Sequence, residues 1–198
     1  MDEDEALVPF EPSADQKKRF DDAMQTMKGA GSIGLALYNW ANSDLNTLEV
    51  VHIPGKTAGE VNSMAYFDEE GHRKLWKDTR MPGGGKNPAI GVDLGEVLLC
   101  PIPPDIKFKT EIPPSAAITL VHELGHVIIG LQEGEDVVFV ENPARQALGF
   151  DDRKTYRGKD VEKWDKEPVN RSKSYVDNVS QAVKSFITEW AGGKNEKK

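Results

Sequence analysis

A single cysteine, Cys100, stands in a chain of 198 residues. No internal disulfide can form, which excludes the small cross-linked secreted scaffolds. Cys100 closes the apolar run Val97-Leu98-Leu99-Cys100 and reads as a small buried residue rather than a nucleophile. No apolar stretch approaches the length of a membrane span, so none is expected. A dense basic stripe is also missing, and the formal charge is −8, which argues against binding nucleic acid by phosphate neutralisation. The first residues, Met1-Asp2-Glu3-Asp4-Glu5, are the opposite of a basic secretory leader, so no cleaved signal peptide is expected. The glycine-rich stretch Pro82-Gly83-Gly84-Gly85-Lys86 lacks the spacing and the Ser or Thr that a P-loop needs. There is no internal repeat, and Asn170-Arg171-Ser172 and Asn178-Val179-Ser180 are incidental glycosylation patterns in a chain read as cytosolic at synthesis.

What the chain does carry is concentrated at 115–132. His122-Glu123-Leu124-Gly125-His126 is an HExxH. On a helix, residues four apart share a face, so both imidazoles can address one divalent cation. Glu123 lies close by in rotation, where a carboxylate base toward an activated water belongs. Pro113 and Pro114 precede Ser115, an expected N-cap, and apolar residues from Ile118 to Leu131 surround the motif, so the helix is expected to be buried. Polar groups in such a helix need partners, and a metal satisfies three at once.

Other elements are expected on both sides. Ser13-Ala14-Asp15-Gln16 resembles a capping box ahead of a helix through Phe20, Ala23, Met24 and Met27. Ser32 is expected to cap a short helix through Ile33, Leu37 and Trp40. Residues 47–53, 65–67, 89–93 and 95–100 read as strands, and Val137–Val140 as a short apolar strand. Asn142, Pro143 and Gly149 mark the cap, first turn and stop of another helix. The apolar and aromatic stripe from Tyr175 to Trp190 predicts a last helix over 173–191. His52 and His72 read as structural or solvated. Residues 1–12 are expected to be a flexible acidic arm, 13–191 one domain, and 192–198 a disordered tail.

Three protein ligands are usual at a catalytic zinc site. The metzincin pattern places a third histidine where Gln132 stands, and no histidine follows His126 at all. A downstream carboxylate is therefore expected, from Glu133, Glu135, Asp136, Glu141, Asp151 or Asp152. Glu133 is too far along the same helix to share the metal. Glu141, returning from a following element, is the best placed, with Asp136 the runner-up.

His122–His126 followed by Val140-Glu141-Asn142-Pro143-Ala144-Arg145-Gln146-Ala147-Leu148-Gly149 and Arg153-Lys154-Thr155-Tyr156 resembles the NleD-like effector metallopeptidases. The Arg-x-x-Tyr spacing is also similar to that of clostridial neurotoxin light chains, whose arginine and tyrosine stabilise the transition state. The resemblance implies an α+β zincin-like fold, with a small mixed sheet packed on the buried HExxH helix and additional helices. It implies a zinc ion and cleavage of target-cell proteins after delivery by a secretion system. The expected roles are then His122, His126 and Glu141 as zinc ligands, Glu123 as base, and Arg153 or Tyr156 as oxyanion stabiliser. Expected partners are a protein substrate, with a secretion component, chaperone or immunity protein as further candidates, and the chain is expected to be a monomer. The same chemistry would serve an amidase acting on peptidoglycan. A non-catalytic zincin scaffold acting by binding is the third alternative.

Overall fold

Ser13 stands before the first helix as a reciprocal cap. Its hydroxyl accepts from Gln16 N at 3.2 Å, and Gln16 Oε1 accepts from Ser13 N at 2.8 Å. Two orphan amides are thereby satisfied, and α1 runs over Ala14–Lys28. Gly29 caps its end, and α2 follows at once over Gly31–Ala41. Ser32 does not cap it. The N-cap position is Ala30, which offers no side-chain bond. The two helices are instead joined by close backbone approach. A Cβ on Gly34 would stand 2.1 Å from Met27 O, so only glycine lets α2 start against the end of α1.

This computed structural model describes residues 13–52, 63–67, 73–77, 89–92, 114–131, 134–156, 159–160 and 173–192. The expected arm at 1–12, His72, the loop at 82–86, Cys100 and the tail from 193 onward lie outside them.

Among the described residues, four short strands follow α2: β1 (Glu49–His52), β2 (Ser63–Phe67), β3 (Arg73–Lys77) and β4 (Ala89–Val92). β1 pairs in parallel with β4, Glu49 opposite Ala89. β2 pairs antiparallel with β3, Ser63 opposite Lys77. Next comes α3 (Pro114–Leu124), continued by a wider π-helical turn at Gly125–Ile129. A second π-helical turn at Val137–Glu141 runs directly into α4 (Asn142–Ala147). The ribbon of β5 (Thr155–Tyr156) and β6 (Lys159–Asp160) precedes α5 (Lys173–Ala191).

The expected α+β architecture is overturned. The described residues are predominantly helical, and they build no mixed sheet. Their strands pair only as separate two-stranded ribbons, β1 with β4, β2 with β3, and β5 with β6. α1, α2, α4 and the Val137–Glu141 turn all pack against α3, while β2 lies against the π-helical turn that continues it. The buried core draws almost wholly on helical residues such as Met27, Leu37, Leu120, Val121, Val140 and Val179, with Ile90 as a strand contribution. Full burial of each large aliphatic among them is worth about 1.5–3 kcal/mol.

The apolar run Val137–Val140 shows where the expected sheet fails. Its β-branched residues suggest a strand, yet Val137, Val140, Glu141 and Ala144 are the buried positions. That is helical spacing, with the acid standing in the core stripe. Packing against α3 overrides the strand propensity. Gly125 faces this run: a Cβ there would meet Val140 Cγ1 at 3.4 Å, within van der Waals contact.

Candidate metal centre

The motif helix changes pitch inside the motif itself. His122 and Glu123 stand on α3, and His126 stands on the π-helical turn. Gly130 ends that turn in the left-handed region at φ 89°. Its N–H and that of Leu131 both donate to Gly125 O, at 3.1 and 3.3 Å. The reversal folds the Leu131 carbonyl back onto His126, 2.7 Å from Nδ1. A carbonyl can only accept, so Nδ1 carries the proton and Nε2 keeps its lone pair for a cation. The two imidazoles lie edge to face, centroids 4.9 Å apart.

Asp136 completes the group. Gly134 turns the chain at φ 90°, and the following helical turn carries Glu135 and Asp136 into the interior. Ligand atoms of His122, His126 and Asp136 all lie within 4.8 Å of one another, and all three side chains are buried. Asp136 Oδ2 stands 3.4 Å from His126 Nε2 and 2.5 Å from His122 Nδ1. Yet neither Asp136 oxygen accepts a hydrogen bond of proper geometry. A buried carboxylate is costly unless its charge is paired, and a divalent cation held by these three side chains would pair it in place of a proton on His122.

Glu141 sits beside this group. Its Oε2 is 2.9 Å from His122 Nδ1 and 3.1 Å from Arg153 Nη1, and its Oε1 is 3.4 Å from Arg145 Nη1. Arg145 is buried and also donates through Nε to Asp151 O at 2.7 Å. Arg153 is held by its backbone: its N–H donates to Asn142 Oδ1 at 2.7 Å, and its carbonyl accepts from Asn142 Nδ2 at 3.2 Å. Asn142 therefore anchors Arg153 rather than capping α4.

Charge supports the fit of a divalent ion. Glu123, Glu135, Asp136 and Glu141 are four buried carboxylates, and Arg145 and Arg153 both pair with Glu141. The surplus shows in the proton affinities. Burial alone would push His122 down, but Asp136 and Glu141 beside it override this and raise it to about 10. Burial pushes Glu123 up to about 7, partly opposed by His122. Burial favours the neutral form of Asp136 as well, but His122 and His126 pull it below the usual carboxylate range. In the metal-free protein a proton on His122 takes the place of the cation.

The expected site residues therefore divide. His122, His126 and Glu123 come together in one buried pocket of side chains. Asp136 joins the two histidines, while Glu141 contacts His122 and both arginines. Arg153 reaches the pocket through Glu141, and Tyr156 is placed on β5. Of the other candidates, Glu135 accepts from Tyr175 Oη at 2.7 Å, and Asp151 and Asp152 are exposed. Glu133 lies outside the described residues. Sequence reasoning missed the Leu131 carbonyl and Tyr175. The Glu141–Arg145 pair is legible as an i, i+4 spacing.

No protein-family model matches the chain, and no curated protein or solved structure matches it either. The chemistry of the donor set is the remaining guide. Imidazole with carboxylate in a buried three-residue group suits zinc among the common divalent ions.

Proposed function

We propose that the protein is a zinc-dependent endopeptidase, with His122, His126 and Asp136 holding the metal. The observation that carries this reading is the convergence of His122, His126 and Asp136, all buried, with ligand atoms within 4.8 Å of one another. Zinc bound there would supply a Lewis acid for a peptide carbonyl and acidify a water molecule.

The remaining work falls to this chain's side chains. Glu123, held near neutrality, takes a proton from the attacking water and returns it to the leaving amine. Glu141 accepts from His122 and keeps that ring oriented, a role in which removal typically weakens metal binding. Arg145 and Arg153 hold Glu141 in place. The Arg153 side chain is 26% exposed, so part of it is open to a developing oxyanion while it remains tied to Glu141. Delivery into a target cell and a protein substrate there rest on the sequence resemblance described above.

The test is cleavage of an unbiased peptide library and a cell extract by zinc-loaded protein, read as new N-termini by mass spectrometry. New termini should appear, vanish with a chelator and return with added zinc. Absence of new termini at every zinc concentration would refute the endopeptidase. Release of fragments from purified peptidoglycan in its place would move the substrate to the cell wall.

A further inference from the structure

α5 has no part in the metal group, yet its first turn reaches the segment that carries Asp136. Tyr175 is buried, and its hydroxyl donates to Glu135 Oε1 at 2.7 Å. Glu135 is fully buried and is the immediate neighbour of Asp136. Successive helical residues project about 100° apart, so Glu135 turns toward α5 while Asp136 turns toward the histidines. A bond that fixes one therefore fixes the rotation of the other.

α5 is a firm anchor for such a bond. Val179 and Val183 continue the buried face of Tyr175 at four-residue spacing. At the far end, Asn39 Nδ2 donates to Trp190 O at 2.7 Å and ties α5 to α2. The helix also packs against both π-helical turns of the metal centre. The Gly134 turn before Glu135 has a positive φ and does not restrain the segment by itself.

We propose that Tyr175 is a positioning residue for the metal centre, acting through Glu135 to hold Asp136 at its ligand position. The proposal rests on the assignment of Asp136 as a zinc ligand. It predicts that metal affinity is set partly from α5.

The experiment measures the zinc dissociation constant by chelator competition in wild-type protein, Tyr175→Phe and Val183→Ala, with circular dichroism confirming that each is folded. Tyr175→Phe removes one hydroxyl and should weaken zinc binding roughly tenfold, as loss of a partner behind a ligand typically does. Val183→Ala removes packing from the same helix face and should lower the melting temperature with zinc affinity unchanged. A second pair of variants tests the same link should Tyr175→Phe not fold. Glu135→Gln keeps an acceptor for Tyr175 and should hold zinc nearly as tightly as wild type, whereas Glu135→Leu should lose about tenfold. Equal affinity in wild type and folded Tyr175→Phe, or in Glu135→Gln and Glu135→Leu, would overturn the proposal and leave the metal site standing. Failure of wild-type protein to bind zinc at all would instead overturn the metal site itself.

Discussion

Asp136 Oδ2 lies 3.4 Å from His126 Nε2. Two ligands on one tetrahedral zinc, with bonds of about 2.1 Å, stand about 3.4 Å apart. The pair is thus already spaced to share an ion, and the Leu131 carbonyl has already assigned the proton to the other ring nitrogen of His126. Preorganisation of this pair lowers the cost of binding, whereas His122 Nδ1, only 2.5 Å from the same oxygen, must move back or leave the ion to its other ring nitrogen.

Glu123 is the expected base, so Glu123→Gln should retain zinc and lose cleavage by about 10²-fold or more. Metal content and turnover measured on the same preparation separate the two effects. Undiminished turnover would remove Glu123 from the mechanism.

The metal-free protein should become less stable as the pH rises. His122 binds its proton more tightly folded than unfolded, moving from 6.5 to about 10. Its contribution is therefore complete below pH 6.5 and is lost as the pH approaches 10. Glu123, raised from 4.5 to about 7, adds a loss of the same sign between those values. Asp136 has the opposite sign, and its contribution is lost as the pH falls through the acid range. Thermal melts in chelator should show wild type losing more between about pH 6.5 and 9 than His122→Gln. Parallel profiles would contradict the proton assignment. Zinc must displace that proton, so calorimetry in buffers of different ionisation enthalpy should record proton release on binding at about pH 7.

Arg145 and Arg153 both serve Glu141, but their burial differs. Arg145 is nearly enclosed, and Arg145→Met should cost about 3 kcal/mol, because Glu141 is left short of a partner in the core. The more exposed Arg153 should cost about 1 kcal/mol on replacement by alanine. Urea denaturation reads both. A larger loss for Arg153 would reverse this ranking.

Gly130→Ala tests the reversal that sets the His126 tautomer. An L-residue at φ 89° is strained by about 1–2 kcal/mol. The chain can escape that strain only by moving Leu131, so zinc affinity should fall along with stability. A variant that loses stability but binds zinc as wild type would detach the turn from the site.

The helical parts of the fold are legible in the residues. The Ser13–Gln16 cap, the HExxH helix and the 173–191 stripe each form as helix, although α3 begins at Pro114 and takes the expected cap Ser115 into its first turn. The architecture around them is not legible in the same way. Val137–Val140 reads as a strand because the helical stripe runs through Glu141, an acid in a core position. That burial makes sense only with Arg145, Arg153 and His122 in place, which is a tertiary fact. The choice between Asp136 and Glu141 has the same character. Both follow the motif at suitable distance, and only the folded helical turn sends Asp136 to both histidines and Glu141 to His122 and the two arginines.

The most direct measurement is zinc content after dialysis against trace zinc, in wild type, Asp136→Ala and Glu141→Gln, with folding verified for each. Wild type should retain a single equivalent, Glu141→Gln should retain it with weakened affinity, and Asp136→Ala should retain none. Full occupancy in folded Asp136→Ala would contradict the assignment at its centre.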